Sequence, residues 1–282
     1  MAAVKSQVYL PSSFQELFSI WECQSDAVLY AGGTAHLRYR DFYKAPNAII
    51  FLDKLEELKI TSRTERYIEI GAMVTLNKII HLGKIVPEAL IRCLESFGGL
   101  QLRNLATIGG NICYPFQRLD AAGPMIALDA QYELSSALSS RWISASKFSS
   151  SPGLTALEPQ ELLTRIRVPL EPWTFTGYRK FNNTGRNKPG NNILLLLRNQ
   201  KNILTDIRVV YSGEVILREK NSETMLTGKR LPLDRKVVAL FLDNWKNYLY
   251  GIPENEGGNL VTELVKMQIL KFIEATIMRI SE

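Results

Sequence analysis

No uninterrupted apolar run in this chain exceeds about six residues, Ile193 to Leu197 being typical, against the ~20 needed to cross a bilayer. Whatever the chain buries must therefore be buried by many short elements packed on one another. Its 282 residues, 46% apolar and 22% charged, suffice for one large or two ordinary domains. Folding at that length removes roughly three-quarters of the unfolded surface from water. The composition excludes disorder and collagen-like structure, and the expectation is a soluble protein.

The opening stretch MAAVKSQVYLPSS carries a single Lys and no apolar segment of signal-peptide length, so a cytoplasmic location is expected. Cys23, Cys93 and Cys113 are odd in number, far apart and in no C-x-x-C. They suggest neither a disulfide framework nor a cluster or zinc ligand set, and hence a reducing compartment and no metal. The net charge of +6 is spread out, with enrichments at Arg38/Arg40 and from Arg179 to Lys188. Such an excess suits an anionic cofactor as well as a nucleic acid.

The pattern along the chain is mixed α and β. A short strand at Val8 to Leu10 leads through Pro11 to a helix, where Ser12 with Gln15 and Ser13 with Glu16 both have capping-box spacing. Strands are expected at Ala27 to Tyr30, Ile49 to Leu52 and Tyr67 to Ile70, and helices at Leu76 to Leu82 and Pro87 to Phe97. Asp120 occupies an N-cap position before a helix at Ala121 to Asp129. Further strands are expected at Ala130 to Leu134, Trp142 to Ile143 and Leu162 to Val168, the last stopped by Pro169 and Pro172. A domain boundary is expected there. Beyond it, Gly177 to Phe181, Ile193 to Leu197, Ile207 to Tyr211 and Val215 to Arg218 read as an antiparallel meander. Asp234 to Tyr250 and Leu260 to Ile280 read as closing helices.

The familiar nucleotide motifs are missing. There is no G-x-G-x-x-G, and Gly228-Lys229 lacks the earlier glycine of a P-loop. What remains are glycine pairs, of which two stand beside a threonine: Ala31-Gly32-Gly33-Thr34 and Thr107-Ile108-Gly109-Gly110-Asn111. A Gly-Gly turn lets successive N–H groups point one way and approach phosphate oxygens without a Cβ in between. A helix starting just after the turn would add its positive end. Either pair alone is usually just a turn; two could grip the two phosphates of a dinucleotide.

In context the pairs are more specific. LYAGGTAHL resembles the AGGTDL loop, and QLRNLATIGGNICYP the QIRNVATIGGNI loop, of the flavoprotein subunits of molybdenum hydroxylases, the family of xanthine dehydrogenase and carbon monoxide dehydrogenase medium subunits. LDAAGPMIALDA resembles the run that follows in that family, and YRKF with the later LTGK resembles its C-terminal domain. Ala35-His36 stands where the family has an acidic residue; backbone contacts there are expected to persist.

The resemblance implies an α+β fold: a two-subdomain, PCMH-type FAD-binding domain at 1–171, followed at 172–282 by a small domain of antiparallel sheet backed by helices. It implies that Leu29, Tyr30, Ala31, Gly32, Gly33, Thr34, Ala35 and His36, with Thr107, Ile108, Gly109, Gly110 and Asn111, wrap the pyrophosphate and ribitol of FAD. Asp120 would meet the flavin's sugar-like chain, Phe97 would pack on the isoalloxazine, Leu163 would lie against another part of the ring and Lys180 near it. Without the resemblance, Phe97 and Leu163 read as core, Asp120 as a helix cap and Lys180 as a solvated strand residue. His81 is expected to be structural, and the glycosylation pattern Asn182-Asn183-Thr184 incidental.

The implied function is that of an FAD-binding electron-transfer subunit of a xanthine dehydrogenase-like complex in purine metabolism. Iron-sulfur and molybdopterin subunits would be its partners and NAD or another molecule the acceptor, with no nucleic acid and no membrane. No residue need act as general acid or base. The alternatives are a self-sufficient FAD-dependent reductase or oxidase of the same fold, and a nucleic-acid-binding module, for which no motif is present.

Overall fold

The computed structural model describes residues 6–34, 46–114, 118–149, 155–181, 191–252 and 261–281. The expected Arg38/Arg40 enrichment, His36 and the Asn182 pattern lie outside them. The chain divides into two units, the first formed by Met1–Val86, Leu94–Phe116 and Leu128–Leu170, the second by Pro87–Cys93, Gln117–Ala127 and Glu171–Glu282.

In the first unit β1 (Gln7–Tyr9), β2 (Val28–Tyr30) and β3 (Ala48–Phe51) make a parallel sheet in the order β1-β3-β2. Helix α1 (Phe14–Cys23) connects the first two strands. Of its two candidate caps the structure uses Ser13, whose Oγ accepts from Glu16 N, while the Glu16 carboxylate accepts from the N–H and hydroxyl of Ser12.

An antiparallel sheet follows, built from β4 (Thr61–Arg63), β5 (Tyr67–Gly71), β6 (Gln131–Ser135), β7 (Ser140–Ser144) and β8 (Leu162–Pro169) in the order β4-β5-β8-β6-β7. Alternation sends Ile68, Ile70, Tyr132, Leu134, Ile166 and Val168 into the core. The other face carries Glu69, which accepts from Arg165 and Arg167, and the Arg167 guanidinium lies 4.4 Å from the Tyr67 ring centre and 4.1 Å from that of Trp142. Short helices α2 (Leu76–His81), α4 (Leu100–Leu105), α5 (Ile108–Ile112) and α7 (Ala145–Ser149) complete this unit.

The second unit is a four-stranded antiparallel sheet, ordered β12-β11-β10-β9, from β9 (Phe175–Phe181), β10 (Asn191–Gln200), β11 (Ile203–Ser212) and β12 (Ile216–Leu217). Strand β10 is buried from Asn191 to Leu197, because both of its faces are covered. Ile193, Leu195 and Leu197 share one core with Phe241, Trp245, Ile269 and Ile273 of α9 (Arg235–Tyr250) and α10 (Glu263–Ser281). Helix α6 (Ala122–Ala127) packs on β10 and β11 as well. Two covered faces explain why the strand reads as an unbroken apolar run rather than an alternation.

Several elements depart from the sequence expectations. Helix α6 ends at Ala127 rather than Asp129, which takes a left-handed φ of 53°. Helices α4, α7 and α8 (Lys220–Leu226, KNSETML) and strand β4 were not signalled, since each is short and mostly polar or lacks a full apolar period. Helix α3 (Glu88–Glu95) starts after Pro87 as expected but ends before Phe97. Among the described residues no helix is long and apolar enough to cross a membrane, and no cluster of side chains could hold a metal ion.

Candidate cofactor site

Both glycine pairs fall in the first unit, and the fold brings them together. Leu29 and Tyr30 end β2, and Ala31, Gly32, Gly33 and Thr34 leave its C-terminal edge. A Cβ on Gly32 would lie 1.8 Å from the Leu105 carbonyl oxygen, so backbone meets backbone where the first segment passes the end of α4. Gly33 holds a left-handed φ of 67°, and a Cβ there would strike the Tyr30 ring at 2.4 Å. Both positions are therefore closed to other residues, for different reasons. Among the described residues no acceptor receives the N–H of Gly32, Gly33 or Thr34. Ala35 and His36 lie outside the described residues.

The second segment is built otherwise. Rather than a turn ahead of a helix, Gly109 and Gly110 are themselves part of α5. Thr107 is its N-cap, with Oγ1 accepting from Gly110 N at 3.1 Å. Ile108 N donates to Val74 O, Gly109 N to Ala72 O, and Asn111 N to Thr107 O. The expected row of backbone donors is thus spent on the protein, the Ile108 and Gly109 bonds stitching α5 to the 72–74 segment. A Cβ on Gly109 would hit Ala72 at 2.7 Å, whereas on exposed Gly110 it would meet only Thr107 Oγ1, at 3.0 Å. Gly109 serves packing, and Gly110 leaves an open surface.

Phe97 is half-buried in the turn between α3 and α4 of the same unit, and Leu163 is buried in β8, the strand on which α5 packs. Another glycine pair, Gly98-Gly99, shapes that turn, with Gly98 at φ 55°. Sequence reasoning passed over it; its adjacency to Phe97 was the available signal.

The remaining two residues lie in the second unit. Asp120 stands two residues ahead of the first residue of α6. Its carboxylate faces Lys180 of β9, Oδ1 to Nζ 2.8 Å, and is only 4% exposed. Its carbonyl accepts from Cys93 Sγ and from Asn192 Nδ2, each at 3.2 Å. Asn192 stands opposite Lys180 in the β9/β10 ladder, so both side chains reach Asp120 from one face of the sheet. Burial pushes the Asp120 carboxyl above the usual range, and the Lys180 ammonium opposes that. The Cys93 thiol is raised by burial, then by the Asp120 charge, and the Cys113 thiol is pushed up to about 12 by burial. Neither is poised as a nucleophile. Lys180 is thus not the solvated strand lysine its sequence context suggests.

Residues 4–171 match the family model for the FAD binding domain in molybdopterin dehydrogenase. The chain belongs to that family. This FAD-binding chain is 32% identical over 162 residues to the xanthine dehydrogenase FAD-binding subunit of Escherichia coli O157:H7, a match covering 55% of this chain and 54% of that one. The alignment thus spans about half the length of that relative. The nicotine 6-hydroxylase medium subunit of Paenarthrobacter nicotinovorans is 25% identical over 276 residues, covering 93% of this chain and 95% of the relative. Quinoline 2-oxidoreductase from Pseudomonas putida 86 superposes with a TM-score of 0.82 at 21% identity, covering 98% of this chain and 97% of that one. That likeness establishes the α+β fold.

The residues present fit an FAD. The three backbone donors at Gly32 to Thr34, which reach no acceptor among the described residues, suit an anionic oxygen, and the open side of Gly110 admits a ligand close to the backbone.

Proposed function

We propose that this chain is the FAD-carrying electron-transfer subunit of a molybdenum hydroxylase complex, xanthine dehydrogenase-like and cytoplasmic. The observation that carries the reading is the row of N–H groups at Gly32, Gly33 and Thr34 that reach no acceptor among the described residues, held against the segment that leads into Gly109-Gly110. These donors would receive pyrophosphate oxygens, and Gly110 would let the ligand approach the backbone. Residues 1–171 form the PCMH-type domain and 172–282 the carbon monoxide dehydrogenase flavoprotein-like domain in this reading. Leu29 to His36 and Thr107 to Asn111 contact the cofactor, Phe97 and Leu163 line the ring, Asp120 accepts from ribityl hydroxyls and Lys180 lies near the ring.

When bound, FAD supplies a store that accepts electrons singly and releases them in pairs. The chain's own residues bind, orient and shield the ring, and none has to move a substrate proton. A purine would be oxidised on a molybdopterin subunit, with an iron-sulfur subunit between, and NAD or another molecule would take the electrons. Relatives named as a xanthine dehydrogenase FAD-binding subunit and a nicotine 6-hydroxylase medium subunit support this division of labour.

The purified full chain should bind one FAD noncovalently, and acid precipitation should release all of it. Xanthine should bleach the flavin's visible band only after the iron-sulfur and molybdopterin subunits are added. Flavin left in the acid pellet would overturn the binding mode, and bleaching by xanthine in the isolated chain would overturn the relay assignment.

A further inference from the structure

The LRN of the QLRNLATIGGN motif has no part in the site as described so far, yet its arginine makes an unusual set of contacts. Arg103 Nη1 donates to the carbonyl oxygens of Gly98 at 2.6 Å, Glu95 at 3.1 Å and Phe97 at 3.4 Å. One guanidinium thus gathers the end of α3 and the turn that presents Phe97. A helix C-terminus carries unpaired carbonyls and partial negative charge, which a cation satisfies. The turn lies flat on α4, since a Cβ on Gly98 would strike the Leu102 side chain at 2.6 Å.

The rest of α4 is anchored at its other end. Asn104 Oδ1 accepts from Asn77 Nδ2 of α2 at 2.7 Å. The Leu105 carbonyl abuts Gly32, and Ala106 O accepts from Leu76 N. Six residues of helix therefore connect the aromatic turn at one end with both glycine segments at the other, and Arg103 is the side chain that closes the first connection.

We propose that Arg103 is a positioning residue of the flavin site, fixing the Phe97 turn relative to the two glycine segments. The inference rests on the proposed packing of Phe97 on the isoalloxazine. All three carbonyls meet one nitrogen, Nη1, and the shorter lysine stem would stop its ammonium short of that point.

The test uses the full chain reconstituted with FAD, read by the dissociation constant from flavin fluorescence quenching and by the visible circular dichroism of the bound flavin. Arg103→Gln, which removes the charge, should raise the FAD dissociation constant about tenfold or more, the usual loss for a charged hydrogen-bonding set. It should also alter the flavin dichroism as Phe97→Leu does. Arg103→Lys, which keeps the charge on a shorter stem, should restore part of that loss. In the double variant the two losses should not add, because both act through one contact. Wild-type affinity and dichroism in a folded Arg103 variant, with Phe97→Leu impaired, would overturn this inference alone, as would fully additive losses. A Phe97→Leu variant with unchanged affinity and dichroism would remove the flavin role of Phe97 itself, and the inference with it.

Discussion

The Gly32-Gly33 and Gly109-Gly110 segments share a dipeptide and a neighbouring threonine, but their backbone donors meet opposite fates. In the first segment the N–H groups of Gly32, Gly33 and Thr34 reach no acceptor among the described residues; in the second, those of Ile108 to Asn111 are all taken by the protein. The first segment is equipped to bind an anion by donation. The second is a rigid wall, tied to the 72–76 segment, whose exposed glycine removes an obstacle. Two glycine pairs of one unit thus do two physical jobs, and only the hydrogen-bond partners tell them apart.

The comparison can be broken most severely at Gly32. Gly32→Val places carbon against the Leu105 carbonyl, where ordinary contact would need roughly twice the 1.8 Å available. It should abolish FAD binding and also lower the stability of the apo chain by ~3 kcal/mol or more. A urea melt of the apo chain is the measurement. An unchanged midpoint would show that this contact is not maintained.

Gly110→Val separates the two jobs. Its Cβ meets only Thr107 Oγ1 at 3.0 Å, so the apo chain should lose no more than ~1 kcal/mol. FAD affinity should fall by about two orders of magnitude, since a close backbone approach is lost. Isothermal titration with FAD, beside circular dichroism of the apo form, checks both. Retained affinity would remove this glycine from the site.

Asp120 and Lys180 give smaller effects. Asp120→Ala should weaken FAD binding by ~1–3 kcal/mol, the cost of a hydroxyl deprived of its acceptor. The raised Asp120 pKa also has a sign in stability. Burial makes the folded chain hold this proton above the ordinary carboxylate value of ~3.9, so the folded state binds more protons in that window. Its contribution therefore grows as pH falls through the raised pKa toward ~3.9 and is lost as pH rises through it. Asp120→Asn should flatten that slope in urea melts taken between pH 7 and about 4.5. An identical slope in the variant would place the Asp120 pKa at its ordinary value. Smallest of all, Lys180→Met should move the flavin midpoint potential by less than about 30 mV. The ammonium is already offset by Asp120 at 2.8 Å, and a much larger shift would mean that it acts on the ring as an uncompensated cation.

The glycine segments, Thr107 and the strand-turn-segment order at Tyr30 to Thr34 were legible because glycine and threonine have few local uses, and each use leaves a spacing. The ILLLL run announced a strand, and its unbroken apolar character follows from the cover on both faces of β10. Which N–H groups stay unclaimed was not legible, because that depends on Ala72 and Val74, some 35 residues from α5 in the chain. The partner of Asp120 was equally hidden. A short acidic residue before an apolar stretch looks like a cap, and only the β9/β10 ladder reveals that Lys180 and Asn192 converge on it. Arg103 sat inside a quoted motif, but nothing in its neighbours foretold contact with carbonyls five to eight residues earlier.

The second unit takes two of its pieces, Pro87–Cys93 and Gln117–Ala127, from the middle of the chain. All six residues of α6 are buried, and the strands on which it packs begin only at Asn191. During synthesis this helix therefore leaves the ribosome well before its binding surface exists, and must wait, apolar and uncovered, for β10 and β11. Such contacts of long sequence separation are slow to form and leave sticky intermediates. A fragment ended at Leu170 would make that wait permanent, so the flavin-binding half should aggregate when expressed alone, and engineering of this chain is better done by substitution than by cutting.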